Sequence, residues 1–77
     1  MEINQFIKHI AEQYDETDSS IFNAETLFKE IEEYSSLTAL NIISVIDDEY
    51  DVYLKGEDIR NSSTIQELFE KVVEKVG

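Results

Sequence analysis

Cysteine is missing from this chain of 77 residues, so no disulfide can brace it. Together with the lack of a signal-peptide pattern, that absence fits a reducing compartment, and a cytoplasmic protein is expected. Proline is missing too, and glycine stands only at Gly56 and Gly77. So few breakers argue for helices and against a turn-rich β fold. Basic residues are scarce, six against 18 acids, which gives a formal net charge of −12. Ordinary nucleic-acid binding is thereby excluded, because it needs lysine and arginine to displace counterions from phosphates. The same charge argues against anionic membrane surfaces. Apolar runs are short and broken by Asn41, Ser44 and Asp47, so no membrane insertion is expected. With one histidine and no glycine-rich phosphate loop, the chain lacks the usual parts of an enclosed active site, and it does not read as an enzyme.

What is present fits one small domain spanning 1–77. Hydrophobic residues make up 42% of the chain, enough for a core. A domain of this length nonetheless buries only roughly 60% of the surface its unfolded chain exposes, so stability is modest. Helical periodicity appears three times. Ile3, Phe6, Ile7, Ile10 and Tyr14 recur at three- and four-residue spacing, which predicts a first helix ending near Asp15. A second helix starts at Ser35 or Ser36, with Leu37, Leu40, Ile43 and Ile46 as its expected buried stripe and Ala39, Ile42 and Tyr50 flanking it. A third follows Thr64, where Thr64-Ile65-Gln66-Glu67 reads as a capping box and Ile65, Leu68, Phe69, Val72, Val73 and Val76 supply the apolar face. Residues 15–34 are long for a connection, but Ile21, Phe22, Leu27, Phe28 and Ile31 predict an ordered loop pinned to the core, with a turn of helix near 25–33. The stretch from Gly56 to Arg60 reads as a short helix docked through Ile59. The expected fold is all-α: a bundle of three main helices and one short one, with a long first loop.

Few residues suggest chemistry. Asp47, Glu49 and Asp51 imitate the opening of a calcium loop, but the position that needs glycine for its sharp turn is Val52. A solvated helix end is the better reading. His9 has no cysteine to join it, which argues against a metal or catalytic role. The pair Ser35-Ser36 opens the second helix. Serine is a favoured N-cap, and either could serve as one. A serine there is also exposed, held on a rigid element, and next to the positive end of a helix dipole, which favours a phosphate.

Ser36-Leu37, the apolar helix ending in Asp47-Asp48-Glu49-Tyr50, then Val52, Leu54, Asp58-Ile59 and Thr64 with Leu68, resemble the acyl carrier protein family and the related peptidyl carrier domains. The likeness runs from the first helix to Val76. It implies that Ser36 is the attachment point of 4′-phosphopantetheine, transferred from coenzyme A by a phosphopantetheinyl transferase. Leu37 then matches the motif leucine near the base of the arm, and Leu40, Ile43, Ile46 and Tyr50 match the buried face of the recognition helix. Leu37, Thr38, Asn41, Asp47 and Asp48 become the expected contacts for partners: acyl-loading and biosynthetic enzymes with basic docking patches. The missing cysteine fits as well, since the working thiol belongs to the arm.

The chain departs from the family pattern in places. Ser35 stands where aspartate commonly precedes the serine, and Thr38 and Asn41 are neutral where fatty-acid carriers are usually acidic. Ser44 occupies a site that is often apolar. Rim charges act mainly on encounter rate and partner choice, so these departures suggest a carrier for a dedicated fatty-acid, polyketide or similar pathway, and a monomer is expected. The alternative is a small acidic helical interaction module, without a prosthetic group, in which Ser36 merely caps a helix.

Overall fold

The structure is a computed structural model describing residues 2–76, and among these it contains four α-helices and no strand. Helix α1 spans Ile3–Ala11, and the Glu2 carboxylate caps it by accepting the amides of Asn4 at 2.9 Å and Gln5 at 3.2 Å. It stops earlier than the periodicity predicts. Past Ala11 the chain tightens, the Gln13 and Tyr14 amides reaching back three residues to the Ile10 and Ala11 carbonyls. That turn swings Tyr14 into the core, where its hydroxyl donates to the Phe28 carbonyl at 2.7 Å.

The long first connection is ordered, as expected. It carries two single 3₁₀ turns, Ser19–Ile21 and Phe28–Glu30, the second standing where a turn of helix was predicted. Phe22 and Phe28 are its buried anchors, with Ile31 partly buried. Ile21 and Leu27 are not anchors: 48% and 49% of their surfaces remain exposed. Alternation explains the difference, since 3₁₀ turns and extended residues bury one side chain and turn its neighbour outward.

Helix α2 spans Ser36–Tyr50 and ends at Asp51, whose left-handed backbone (φ 55°) closes the helix. Its buried residues are Thr38, Ile42 and Ile46. The expected stripe was therefore rotated. Leu37 and Leu40 are 66% and 62% exposed, Ile43 is half-buried, and Ile42, expected on the flank, is fully enclosed. Apolar residues occur around most of this helix, so periodicity alone does not single out one face. Val52 and Leu54 then lead inward to the short helix α3, Gly56–Arg60, docked through Ile59 as expected.

Helix α4 spans Ile65–Val76 and buries Ile65, Leu68 and Val72, with Phe69 partly buried. Val73 and Val76 face outward. The Thr64 hydroxyl accepts the Glu67 amide at 3.1 Å, while the Glu67 carboxylate reaches one residue beyond the usual box to the Ser63 amide at 2.7 Å. Helix α1 packs against α2 and α4, and α3 packs against α4. Phe6 sits at the centre, with its ring 5.1 Å from Phe69 and 5.8 Å from Tyr50. No helix among the described residues is long and apolar enough to cross a membrane.

Candidate functional site

The entry to α2 is fixed from below. The Glu33 carboxylate accepts the Thr17 hydroxyl at 2.7 Å and the Glu16 amide at 3.0 Å, and these bonds hold its pKa below the ordinary carboxylate value. Two residues later the helix is capped, and the cap is Ser35. Its Oγ accepts the Thr38 amide at 3.4 Å, while Thr38 Oγ1 accepts the Ser35 amide at 3.1 Å. Thr38 Oγ1 also donates to the Glu33 carbonyl at 3.4 Å. Thr38 is thus occupied by the cap and only 6% exposed. Of the residues expected to meet partners, it is the one that leaves almost no surface for such a contact.

Ser36 follows as the first helical residue, and it is exposed. Among the described residues its hydroxyl makes no hydrogen bond, and neither its amide nor that of Leu37 has a protein acceptor. These are the orphan donors that any helix leaves in its first turn. A 15-residue helix points its positive end at them. The local chemistry is a hydroxyl beside two unclaimed N–H groups, a setting suited to a phosphate ester.

The remaining candidates divide by helical register. Leu37, Asn41 and Asp48 share the outward face of α2 and are all exposed. Asp47 is exposed on the flank, roughly 16 Å along the helix from Ser36 by its rise per residue. Asp47, Asp48 and Glu49 form a solvated helix end, and among the described residues no group of three acidic, histidine or cysteine side chains is arranged to hold a metal. His9 instead ties α1 to α2. Its Nε2 lies 3.8 Å from Glu49, its Nδ1 lies 3.7 Å from Glu12, and its ring stands nearly perpendicular to that of Tyr50, 5.7 Å between centroids.

Between the next stripe of α2 and α3 lies a cleft of about 400 Å³ that opens beside Ser36. Ala39, Leu40, Ile43 and Ile59 give it an apolar lining, and Tyr34, Gly56 and Arg60 complete the wall. Burial lifts the Tyr34 phenol above its ordinary pKa. Leu40 is therefore a cleft residue and not a core residue. Tyr34, Gly56 and Arg60 carry no motif that sequence reasoning would select. Their one visible signal is that Arg60 is the only arginine in the chain. No family model, curated protein or solved structure matches the chain.

Proposed function

We propose that this chain is a carrier domain of the acyl carrier type, with 4′-phosphopantetheine attached through Ser36 by a phosphopantetheinyl transferase that draws on coenzyme A. The observation that carries the reading is the division of labour between adjacent serines. Ser35 does the capping, so Ser36 is left exposed at the mouth of α2 with its hydroxyl unused. Capping accounts for one serine and gives no reason for the second.

The residues present fit the group. Ser36 Oγ is the point of attachment, and the Ser36 and Leu37 amides with the α2 dipole suit the phosphate. When bound, the group supplies a thiol that carries an acyl or aminoacyl cargo as a thioester. Ala39, Leu40, Ile43 and Ile59 shelter apolar matter beside that attachment point. Leu37, Asn41 and Asp48 face outward and meet the partner enzymes, with Asp47 beside them. A net charge of −12 steers the protein toward basic docking patches, with association that weakens as salt rises. The protein itself makes and breaks no bond. It works as a cytoplasmic monomer that presents intermediates along a dedicated biosynthetic route.

The test is a weighing. The purified chain is incubated with coenzyme A, magnesium and a broad-specificity transferase, and its mass is measured. A gain of one phosphopantetheine on wild type and on Ser35→Ala, with none on Ser36→Ala, is expected. No gain on wild type, or an equal gain on Ser36→Ala, leaves the acidic interaction module as the reading.

A further inference from the structure

Arg60 is the only arginine in a chain with 18 acids, yet among the described residues its guanidinium joins no ion pair. Carboxylates are within reach of the same short helix. Asp58 pairs with Lys75 at 3.6 Å and accepts the Lys55 amide at 2.9 Å. Arg60 lies instead along the cleft beside Ser36, whose lining contains no acid at all. In a molecule of net charge −12, that is a local island of the opposite sign.

The island is built into the packing. Ile59 plugs α3 into the core, and Lys29 Nζ donates to the Arg60 carbonyl at 2.8 Å, fixing the backbone that bears the guanidinium. The side chain runs back along the helix, as side chains on a helix do, and Nη1 comes to rest over the first turn. A Cβ at position 56 would meet Nη1 at 3.3 Å, so Gly56 leaves it room. An arginine held this way presents a planar fork suited to a carboxylate or a phosphate. The rest of the lining is apolar apart from the Tyr34 and Ser36 side chains. The complementary occupant has an apolar stem and an anionic oxygen group.

We propose that Arg60 is the anion-recognising residue of this cleft, pairing with a phosphate or carboxylate on the molecule that Ser36 carries. The inference rests on the carrier reading and names what is recognised. Its chemistry has two sources, the phosphate next to Ser36 and an acidic terminus on the cargo.

The two are separated by tethers that need no transferase, so the outcome is independent of the mass test above. Because the chain has no cysteine, Ser36→Cys provides a single thiol. That thiol is converted to mixed disulfides with two matched pairs of groups, phosphoethyl against hydroxyethyl and carboxypentyl against pentyl. Melting temperature and the Arg60 Nε–H resonance are then recorded. A further negative charge on an unrecognised site in so acidic a chain lowers the melting temperature. Recognition by Arg60 reverses the sign and raises it by about 3 °C. A gain in the short pair alone identifies the phosphate, a gain in the long pair alone identifies an acidic cargo, and each comes with a shift of the guanidinium resonance. Arg60→Gln removes the gain, and Gly56→Ala, which crowds Nη1, reduces it. Melting temperatures no higher for the anionic member of both pairs, or a gain that survives Arg60→Gln unchanged, overturn the proposal.

Discussion

The first turns of α2 and α4 begin alike and finish differently. Each follows a hydroxyl residue that accepts an amide three positions on, Ser35 for Thr38 and Thr64 for Glu67. At α4 the remaining donors are claimed by the long first connection: the Ile65 amide donates to the Thr26 carbonyl at 3.2 Å and the Gln66 amide to the Ala24 carbonyl at 2.8 Å. At α2 the equivalent donors, on Ser36 and Leu37, have no protein acceptor among the described residues. The apolar residues follow the same division. Ile65 is fully enclosed, while Leu37 and Leu40 are more than half exposed. One helix entrance is sealed by main chain, and the other faces solvent. The second entrance thus keeps its orphan donors and much of its leucine surface free of the rest of the chain.

The largest expected contrast tests that division. Ile65→Ala should cost about 2–5 kcal/mol by opening a cavity in the core, a large share of the roughly 5–15 kcal/mol that holds a typical domain together. Leu37→Ala and Leu40→Ala should change stability by less than about 0.5 kcal/mol. Urea titrations followed by circular dichroism give all three values, and a Leu40→Ala loss as large as that of Ile65→Ala would erase the distinction between the entrances. A smaller effect sharpens it. Ser35→Ala and Thr64→Ala should each cost about 1 kcal/mol as lost caps, whereas Ser36→Ala should leave the urea midpoint unmoved.

The last effect concerns the packed side and is invisible near neutral pH. Burial first, then the neighbouring Tyr34 and Glu33, raise the Tyr14 phenol well above its ordinary pKa. Burial likewise raises Tyr34, and burial with Glu49 and Glu2 raises Tyr50. A phenol whose folded pKa lies above its unfolded value contributes stability that is complete below about pH 10 and declines as pH rises toward the folded pKa. The protein should therefore weaken progressively above about pH 10, and Tyr14→Phe should flatten that decline. Denaturant midpoints across an alkaline series report it, and equal slopes for wild type and Tyr14→Phe would remove Tyr14 as the cause.

The helices most legible in the sequence were those with one apolar side. α1 and α4 concentrate Phe6 and Ile10, or Ile65, Leu68 and Val72, on a single stripe, so spacing located the centre of each buried face, although Val73 and Val76, expected on it, stay exposed. Spacing misled at α2, where apolar residues serve two purposes. Ile42 and Ile46 fill the core, Ala39, Leu40 and Ile43 line the cleft, and Leu37 faces out. A helix with two apolar surfaces looks from its sequence like a helix with one broad surface. Choosing between Ser35 and Ser36 was equally beyond spacing, because both are good caps. It took the position of Thr38, turned inward to complete the box, to assign the cap to Ser35. The cleft was not legible at all, since Tyr34, Gly56 and Arg60 come together only once α3 is docked.

The docking of α3 has a consequence for anything held beside Ser36. Five residues are too few to hold a helix in place by themselves. It is kept in position by the Ile59 side chain, by Lys29 reaching from the second 3₁₀ turn, and by Lys75 reaching from α4 to Asp58. The width of the cleft that Arg60 and Leu40 line therefore depends, beyond the Ile59 contact, on two lysines that do not line it. Changing either lysine would retune the aperture without altering one residue that lines it.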